Sequence, residues 1–599
     1  MLTALAVTAV VAALLLLEHW ARLPLLRGDS DDALRLLRLR DLLAGEGWFD
    51  QRVDRIQPPE GGVIHWSRLL DGVMAGGLRG AQLAFGPEPG ERLFRAAWPL
   101  LWLLPALGSL LVIARSLGGG RAVFICALCV TSATLAFSQF LPGRIDHHNI
   151  QIALAMVGLA GATAGGWRGG LAAGFAAAVG LAIGVEALIF HALVGAALAL
   201  RWAFNPDEAP AARSYSLALA PTAAVLHGLQ TLPAEWATPA CDALGSNLIA
   251  ALAIGAAGLL TAVAFLTGRG LLVRLGALGA MGLGAAAAYI GMEPACLGGP
   301  LGAVDTRLQP IWLDHVSEVQ TLFQTVQREP ARALLLFTPA LVGLAVLAAA
   351  LSRPTLRREP AWLIAGAFLL LATAAQAGGA RMSSYAILAA FPVVAGGAAR
   401  LIDARYGGRL LPALAAVLFL APISTTAIAA AVGDRLWPEP PKADPVDRCL
   451  EVPSYRLLAG LPPGLVLADI NLGSHLVALT PHSVLAAPYH RMDRGILQAS
   501  ALLTAPNEAA EGGARAAGVR YVVSCPAQGP GRARRLGTVG PAVLNDRLGP
   551  LQQQLDADLP PQWLDRLSPP GAALDVYAVR GVTPVAARMN PPGSASPVR

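Results

Sequence analysis

This chain is poor in charge. Of its 599 residues only 14% are Asp, Glu, Lys or Arg, while 55% are hydrophobic and the mean hydropathy is +0.54. A soluble chain of this length divides into several domains with charged surfaces, and this composition does not supply them. Lysine is nearly missing: Lys442 stands among basic residues that are otherwise arginine. Those arginines are scattered in short segments, so the net charge of +6 does not describe a nucleic-acid footprint. Cysteine is scarce as well. Cys126 and Cys129 form a CxxC inside an apolar run with no companion ligands nearby, which fits two core residues one helical turn apart and not a redox or metal site. Gly-rich pieces such as "DGVMAGG" and "GLPPGLV" lack the strand–turn–helix setting of a phosphate loop. Direct use of ATP or a nucleotide sugar is therefore not expected.

Long apolar runs fill the place of the missing charge. They recur near 2–18, 93–114, 122–141, 149–165, 169–185, 187–203, 214–230, 245–266, 271–291, 333–352, 361–379, 383–399 and 410–432. Each is close to the ~20 residues that cross a bilayer as a helix. The first has no basic flank and "EHWARLPLL" is a poor cleavage site, so it reads as a retained span. Glu186 and His191 interrupt the pair 169–203, which also reads as one broken unit. With the N-terminus in the cytoplasm, arginines fall on alternate connections: Arg115 with Arg121, Arg168, Arg201, Arg269 with Arg274, Arg353 with Arg357 and Arg358, and Arg400 with Arg405 and Arg409.

The expected architecture is thus a polytopic α-helical membrane protein of about thirteen spans over 1–432. Outer loops 27–92 and 292–332 and the segment 433–599 lie on the opposite face, the periplasm for a bacterial inner membrane. That last segment opens with the Pro-rich "WPEPPKADP" and then alternates strand-like runs ("GLVLAD", "SVLAA", "GVRYVVS", "ALDVYAVR") with helical ones. It reads as a soluble periplasmic α/β domain with a disordered final dozen residues. Cys241, Cys296, Cys449 and Cys525 all fall outside, where disulfides persist; Cys241–Cys296 with Cys449–Cys525 is one of three pairings.

Three polar clusters share the outer face. "RGDSDDALRLLRLRD" holds Asp29, Asp31, Asp32 and Asp41; "GRIDHHN" holds Asp146, His147 and His148; "IWLDHVSEVQ" holds Asp314, His315 and Glu318. Singly each has a plain reading, since Asp29 to Asp32 suit a helix N-cap and the histidines suit an interface. Together they suit a divalent cation held by oxygen ligands and one nitrogen, Mn2+ or Mg2+ before Zn2+.

These motifs resemble the catalytic subunit of oligosaccharyltransferases, membrane enzymes of the GT-C glycosyltransferase fold with thirteen spans and a C-terminal extracytoplasmic domain. The Arg40-Asp41 pair places the family's first-loop Asp on Asp31, with Asp29 and Asp32 as register alternatives. "GRIDHH" matches the second acidic motif through Asp146, with His148 where an acid usually stands. "HVSEVQ" matches the outer-loop motif and assigns Glu318, and "ARMSSYAILAAFP" points to Arg381 as a phosphate contact. The family's acceptor motif Trp-Trp-Asp falls on Leu467, Ala468 and Asp469, so both tryptophans are absent. The resemblance implies transfer of a sugar or oligosaccharide from a polyprenyl-(pyro)phosphate donor to a periplasmic acceptor. Asp31, Asp146, His148 and Glu318 would hold the metal, Asp31, Glu318 and Asp146 would be catalytic, and Arg381, Asp469, His147, Asp314 and His315 would lie along the substrates. The acceptor is a protein asparagine, a lipid or a polysaccharide. A transporter or flippase of lipid-linked glycans is the rival of another class, disfavoured because the acids gather at one surface and not at the midplane.

Overall fold

The computed structural model describes residues 1–25, 28–131, 134–316, 318–401, 422–437, 446–525, 550–556 and 559–581. Its first helix, α1 (Leu2–His19), is followed by α2 (Ser30–Leu43), α3 (Arg68–Phe85) and α4 (Pro87–Leu101). Then come α5 (Leu103–Thr131), α6 (His148–Ala164), α7 (Gly166–Ile183), α8 (Leu188–Phe204), α9 (Ala209–Gln230), α10 (Ser246–Leu266) and α11 (Leu271–Met292). Three more long helices run over Pro330–Leu351, Pro360–Gly378 and Ser383–Leu401.

By length and composition, eight helical stretches among the described residues can cross a membrane. The shortfall against thirteen has local causes. The runs at 93–114 and 122–141 join in one stretch, Pro87–Thr131. The runs at 149–165 and 187–203 form helices of 17 residues, α6 and α8, and α9 falls outside the eight. Of the run at 410–432, residues 410–421 lie outside the described residues and the rest belongs to the helix Pro422–Leu436. The interrupted pair at 169–203 is two helices, α7 and α8, separated at Gly184–Ala187.

The long stretch is itself broken. Gly119 takes φ 67° and ψ −154°, a conformation that only glycine adopts without strain. The break frees the Leu117 carbonyl, which accepts hydrogen bonds from the Trp362 indole (3.2 Å) and the Arg400 guanidinium (3.0 Å). A buried carbonyl outside the helical ladder needs such partners. Elsewhere small residues let helices touch: a Cβ on Gly161 of α6 would lie 2.4 Å from the Gly169 carbonyl oxygen of α7. The helices pack through Val7, Val11 and Leu15 of α1, Leu103 to Leu117 of α5, and Phe190, Trp202 and Phe368.

A second layer lies over one end of these helices. It comprises α2, an antiparallel ribbon β1 (Arg52–Val53) and β2 (Gly62–Val63), α3, and a mixed sheet from the tail. The sheet holds β3 (Leu465–Ala468), β4 (Ser483–Val484), β5 (Val519–Ser524), β6 (Leu564–Arg566) and β7 (Asp575–Val579) in the order β4-β3-β5-β7-β6. Strands β4, β3 and β5 are parallel, joined through helices Ile470–Leu479, Asp493–Leu503 and Asn507–Ala516, whereas β7 and β6 are antiparallel. Ala33, Leu36, Leu70 and Met74 share one apolar cluster with Val466, Leu472, Tyr489 and Val523, so the segment 27–92 and the tail form one core. Residue 56 also pairs with Val484 of β4, where the Gln57 N–H donates to the Val484 carbonyl (2.9 Å). Disulfides join Cys241 to Cys296 and Cys449 to Cys525. Cys126 and Cys129 are free and buried in the helical core.

Candidate active site

The site begins at the N-terminus of α2, whose four leading N–H groups need acceptors. Asp29 caps them, accepting from the N–H of Asp31 (3.0 Å) and of Asp32 (3.2 Å), and Asp32 returns the bond to the Asp29 N–H (3.3 Å). The Asp32 carboxylate is buried and also accepts from the N–H of Ile145 (2.8 Å) and of Asp146 (3.0 Å). The Arg144 guanidinium bridges Asp29 and Asp32. Residues 144–146 are thereby pinned to the start of α2. Burial pushes the Asp32 carboxyl up to about 7, against the pull of Arg144.

Asp29 and Asp32 are thus engaged in holding the backbone, which leaves Asp31 to face other acids. Burial and the charges of Asp146, Asp29 and Glu318 hold Asp31 well above the usual carboxylate range. The Tyr489 hydroxyl, from the tail, donates to the Ser30 carbonyl (3.0 Å) and neighbours the Asp31 carboxylate. Asp41, ten residues on, sits at the far end of α2, and its neighbour Arg40 pairs with Glu91 at 2.8 Å.

Asp146 lies between two imidazoles. His147 Nδ1 meets Oδ1 at 2.5 Å, and His148 Nδ1 meets Oδ2. Burial opposes charge on this group, but the histidines outweigh it and hold Asp146 well below its usual range. Burial likewise disfavours the His147 cation, yet Asp146 and Glu186 raise it to about 10. His147 Nε2 stands 3.5 Å from Glu186, in the α7–α8 connection, and the Gln151 amide donates to Glu186 at 2.6 Å. From the other side Arg35 donates to Asp71 at 2.5 Å, keeps its second nitrogen 4.0 Å from Asp146, and lies over the Trp66 ring at 4.0 Å.

Glu318 and Arg381 are brought together by backbone. The Arg381 N–H donates to the Glu318 carbonyl (2.8 Å), and the Ala380 N–H to that of Gln320 (3.1 Å). These bonds strap the outer loop onto the turn between Pro360–Gly378 and Ser383–Leu401. The Arg381 charge helps hold the Glu186 carboxyl low, after burial, which opposes it, and the His147 hydrogen bond. Asp31, Asp146, His147, His148, Glu186, Glu318 and Arg381 therefore interact around one region.

Other candidate residues are engaged by local contacts. Asp314 is half-buried, accepts from the Gln309 amide (2.6 Å), and lines a cavity of about 600 Å³ with Gly298, Thr321 and Gln324. His315 ends the short turn Leu313–His315. Asp469 caps the helix Ile470–Leu479, accepting from the backbone N–H (2.8 Å) and the side-chain amide (2.7 Å) of Asn471. Sequence reading missed Arg35, Asp71, Arg144, Glu186 and Tyr489 as members of the site. Arg144 sits in the "GRIDHH" motif, and that adjacency was the signal available.

The donor set suits a divalent cation. One ligating atom each of Asp146, His147 and His148 lies within 4.8 Å of the others. The His148 Nε2 is buried without a hydrogen-bond partner. Crowded carboxylates such as Asp31 and Asp146 are stabilised by added positive charge, and an imidazole with a free nitrogen is a ready ligand.

No protein-family model and no curated protein sequence matches the chain. Among solved structures it is similar to the oligosaccharyltransferase AglB of Archaeoglobus fulgidus in complex with an inhibitory peptide and a dolichol-phosphate. That match has a TM-score of 0.64 and 15% identity over 88% of this chain and 69% of the other. The complex of the Archaeoglobus enzyme with Zn and sulfate gives 0.58 and 14% over 87% and 68%. Its form tethered to an acceptor peptide containing the NVT sequon gives 0.62 and 15% over 88% and 69%. The chain shares the fold of this oligosaccharyltransferase. At this identity the likeness is one of fold.

Proposed function

We propose that the protein is a membrane glycosyltransferase that moves a sugar or oligosaccharide from a polyprenyl-(pyro)phosphate donor to a periplasmic acceptor. The observation that carries this reading is the meeting of Asp31, Asp146 with His148, and Glu318 with Arg381, from four segments, at one end of a GT-C helix bundle. The proposed setting is a bacterial inner membrane crossed about thirteen times, with the N-terminus in the cytoplasm and residues 433–599 a periplasmic α/β domain. The lipid phosphate bound by the archaeal enzyme supports a lipid-linked donor, and its Zn complex supports a metal.

In this mechanism Arg381 presents its planar fork to the donor phosphate. Glu318, strapped to Arg381 through backbone, orients the acceptor nucleophile and takes its proton. Asp31, Asp146, His148 and Glu318 would hold Mn2+ or Mg2+, which would stabilise the charge developing on the leaving phosphate. Arg35, His147 and Glu186 fix the orientation of Asp146. Arg144 and Asp32 hold the 144–148 segment at the start of α2.

The acceptor reading that the tail favours is a lipid or polysaccharide over a sequon peptide. Leu467 and Ala468 are buried inside strand β3, and Asp469 is occupied as a helix cap. No indole stands at those positions to read a hydroxyl.

The test is transfer by purified protein from a native lipid-linked glycan pool, with manganese and with chelator. Glu318→Ala and Asp31→Ala should each lower turnover about a hundredfold, as loss of one transition-state contact does. Chelator should abolish release of free polyprenyl phosphate. Unchanged turnover in either folded variant sinks the assignment, and mass analysis of the product names the acceptor.

A further inference from the structure

Besides the acidic cluster, three segments distant in sequence meet at another group of ligating side chains. His65 precedes α3, Asp242 follows α9 beside the Cys241–Cys296 disulfide, and His490 follows β4 in the tail. One ligating atom of each lies within 4.8 Å of the other two. His490 Nε2 is 2.7 Å from Asp242 Oδ2, and the His65 and His490 rings stand 4.7 Å apart. Arg491 grips the same carboxylate, Nε on Oδ2 at 2.7 Å and Nη2 on Oδ1 at 2.6 Å.

The His65 ring is half-buried and makes no hydrogen bond among the described residues. A neutral imidazole has one nitrogen lone pair to give, and no hydrogen bond occupies that of His65. As a hydrogen-bond network the group leaves His65 unused. As a ligand set of two imidazoles and a carboxylate it is complete. Two clefts flank it and admit solvent. One of about 370 Å³ is lined by His65, Trp66, Asp242 and Arg491, and one of about 350 Å³ by Cys241, Asp242 and His490.

We propose that His65, Asp242 and His490 form a second metal site, for a divalent transition metal of the zinc class. Two imidazoles favour zinc over the hard cations suited to an oxygen-rich site. The site shares no residue with Asp31, Asp146 and His148. Ion entry replaces the hydrogen bond between His490 and Asp242 with one coordinate bond from each, His490 ligating through Nε2 and carrying its proton on Nδ1. Arg491 stays on Asp242 and fixes its orientation, as outer-shell partners do. Bound there, the ion cross-links the first outer segment, the α9–α10 connection and the tail.

The decisive experiment uses the full-length protein in detergent, stripped of metal and dialysed against Zn2+, with bound metal counted. His65→Ala carries the decision, since its ring has no hydrogen bond to lose. Wild type should bind one more equivalent of Zn2+ than His65→Ala, and that difference should persist in a His148→Ala background. Zn2+ should also raise the thermal midpoint of His148→Ala but not of the double variant. Should His65→Ala fail to fold, Co2+ added to His148→Ala should give visible absorption bands that Zn2+ displaces. Equal zinc content with and without His65, or no Zn2+-displaceable Co2+ spectrum, overturns the proposal. Failure of glycosyl transfer with zinc still bound would strike the transferase reading alone.

Discussion

The helix bundle and the layer above it bury their interiors by opposite rules. In the bundle the apolar core is mainly alanine and leucine, filled out by other apolar and aromatic residues, with glycine at close crossings such as Gly161 against Gly169. In the layer, three arginines are fully buried: Arg35 pairs with Asp71, and Arg38 and Arg68 both pair with Glu46, at 2.6 and 2.7 Å. Arg38 and Arg68 also donate to the Asp50 carbonyl. The bundle works by shape, since apolar residues of suitable volume substitute for one another. The layer works by pairing, and a buried charge without its partner is costly out of proportion to what the pair contributes.

The sharpest way to break this contrast is Asp71→Ala, which leaves Arg35 buried beside Asp146. It should cost about 3–5 kcal/mol, read as lost stability to denaturant in detergent, and should lower transfer as well. Adding Arg35→Met should recover much of the stability while transfer stays low. If the double variant is no more stable than the single, the layer does not depend on pairing. In the bundle, Gly161→Ala places a methyl group against the Gly169 carbonyl. A cost of about 1–3 kcal/mol is expected, seen as a lower thermal midpoint, with no metal or pH dependence.

The smallest effect is expected at Glu60 and Arg494, an exposed pair joining the first outer segment to the tail. The Arg494 hydrogen bond holds the Glu60 carboxyl down at about 2. A lowered carboxyl stabilises the fold above its unfolded value of about 4.3, and that contribution disappears as pH falls through the folded value. Glu60→Gln should therefore be slightly less stable than wild type at pH 7 and indistinguishable from it near pH 2. Because solvent screens the pair, 1 M salt should erase the pH 7 difference.

The same contrast explains which parts were legible in the sequence. Length and hydropathy were enough for most bundle helices because burial there depends on apolar runs. The runs at 149–165, 187–203 and 214–230 are helices α6, α8 and α9, but α6 and α8 are 17 residues long and the composition of α9 keeps it out of the eight stretches able to cross a membrane. Asp31, Asp146, His148 and Glu318 stood out because acids are conspicuous in a chain so poor in them. Arg35, Arg38, Arg68 and Asp71 did not, because in an outer loop they read as ordinary surface charge, and only tertiary contact shows them buried. Glu186 was noticed as an interruption between two spans, but nothing local ties it to His147. Asp469 and Asp314 matched by type and place, while the hydrogen bonds that occupy them come from Asn471 and Gln309.

One small pairing has a consequence for how the parts of the chain depend on one another. Residue 56 lies alongside Val484, at the edge of the tail sheet and on the side of β4 away from β3. An exposed strand border is a template for any other extended chain, including another copy of itself. The first outer segment covers that border here. A tail expressed without it would present unpaired backbone groups to its own kind and self-associate, so the two segments act as mutual chaperones within one molecule.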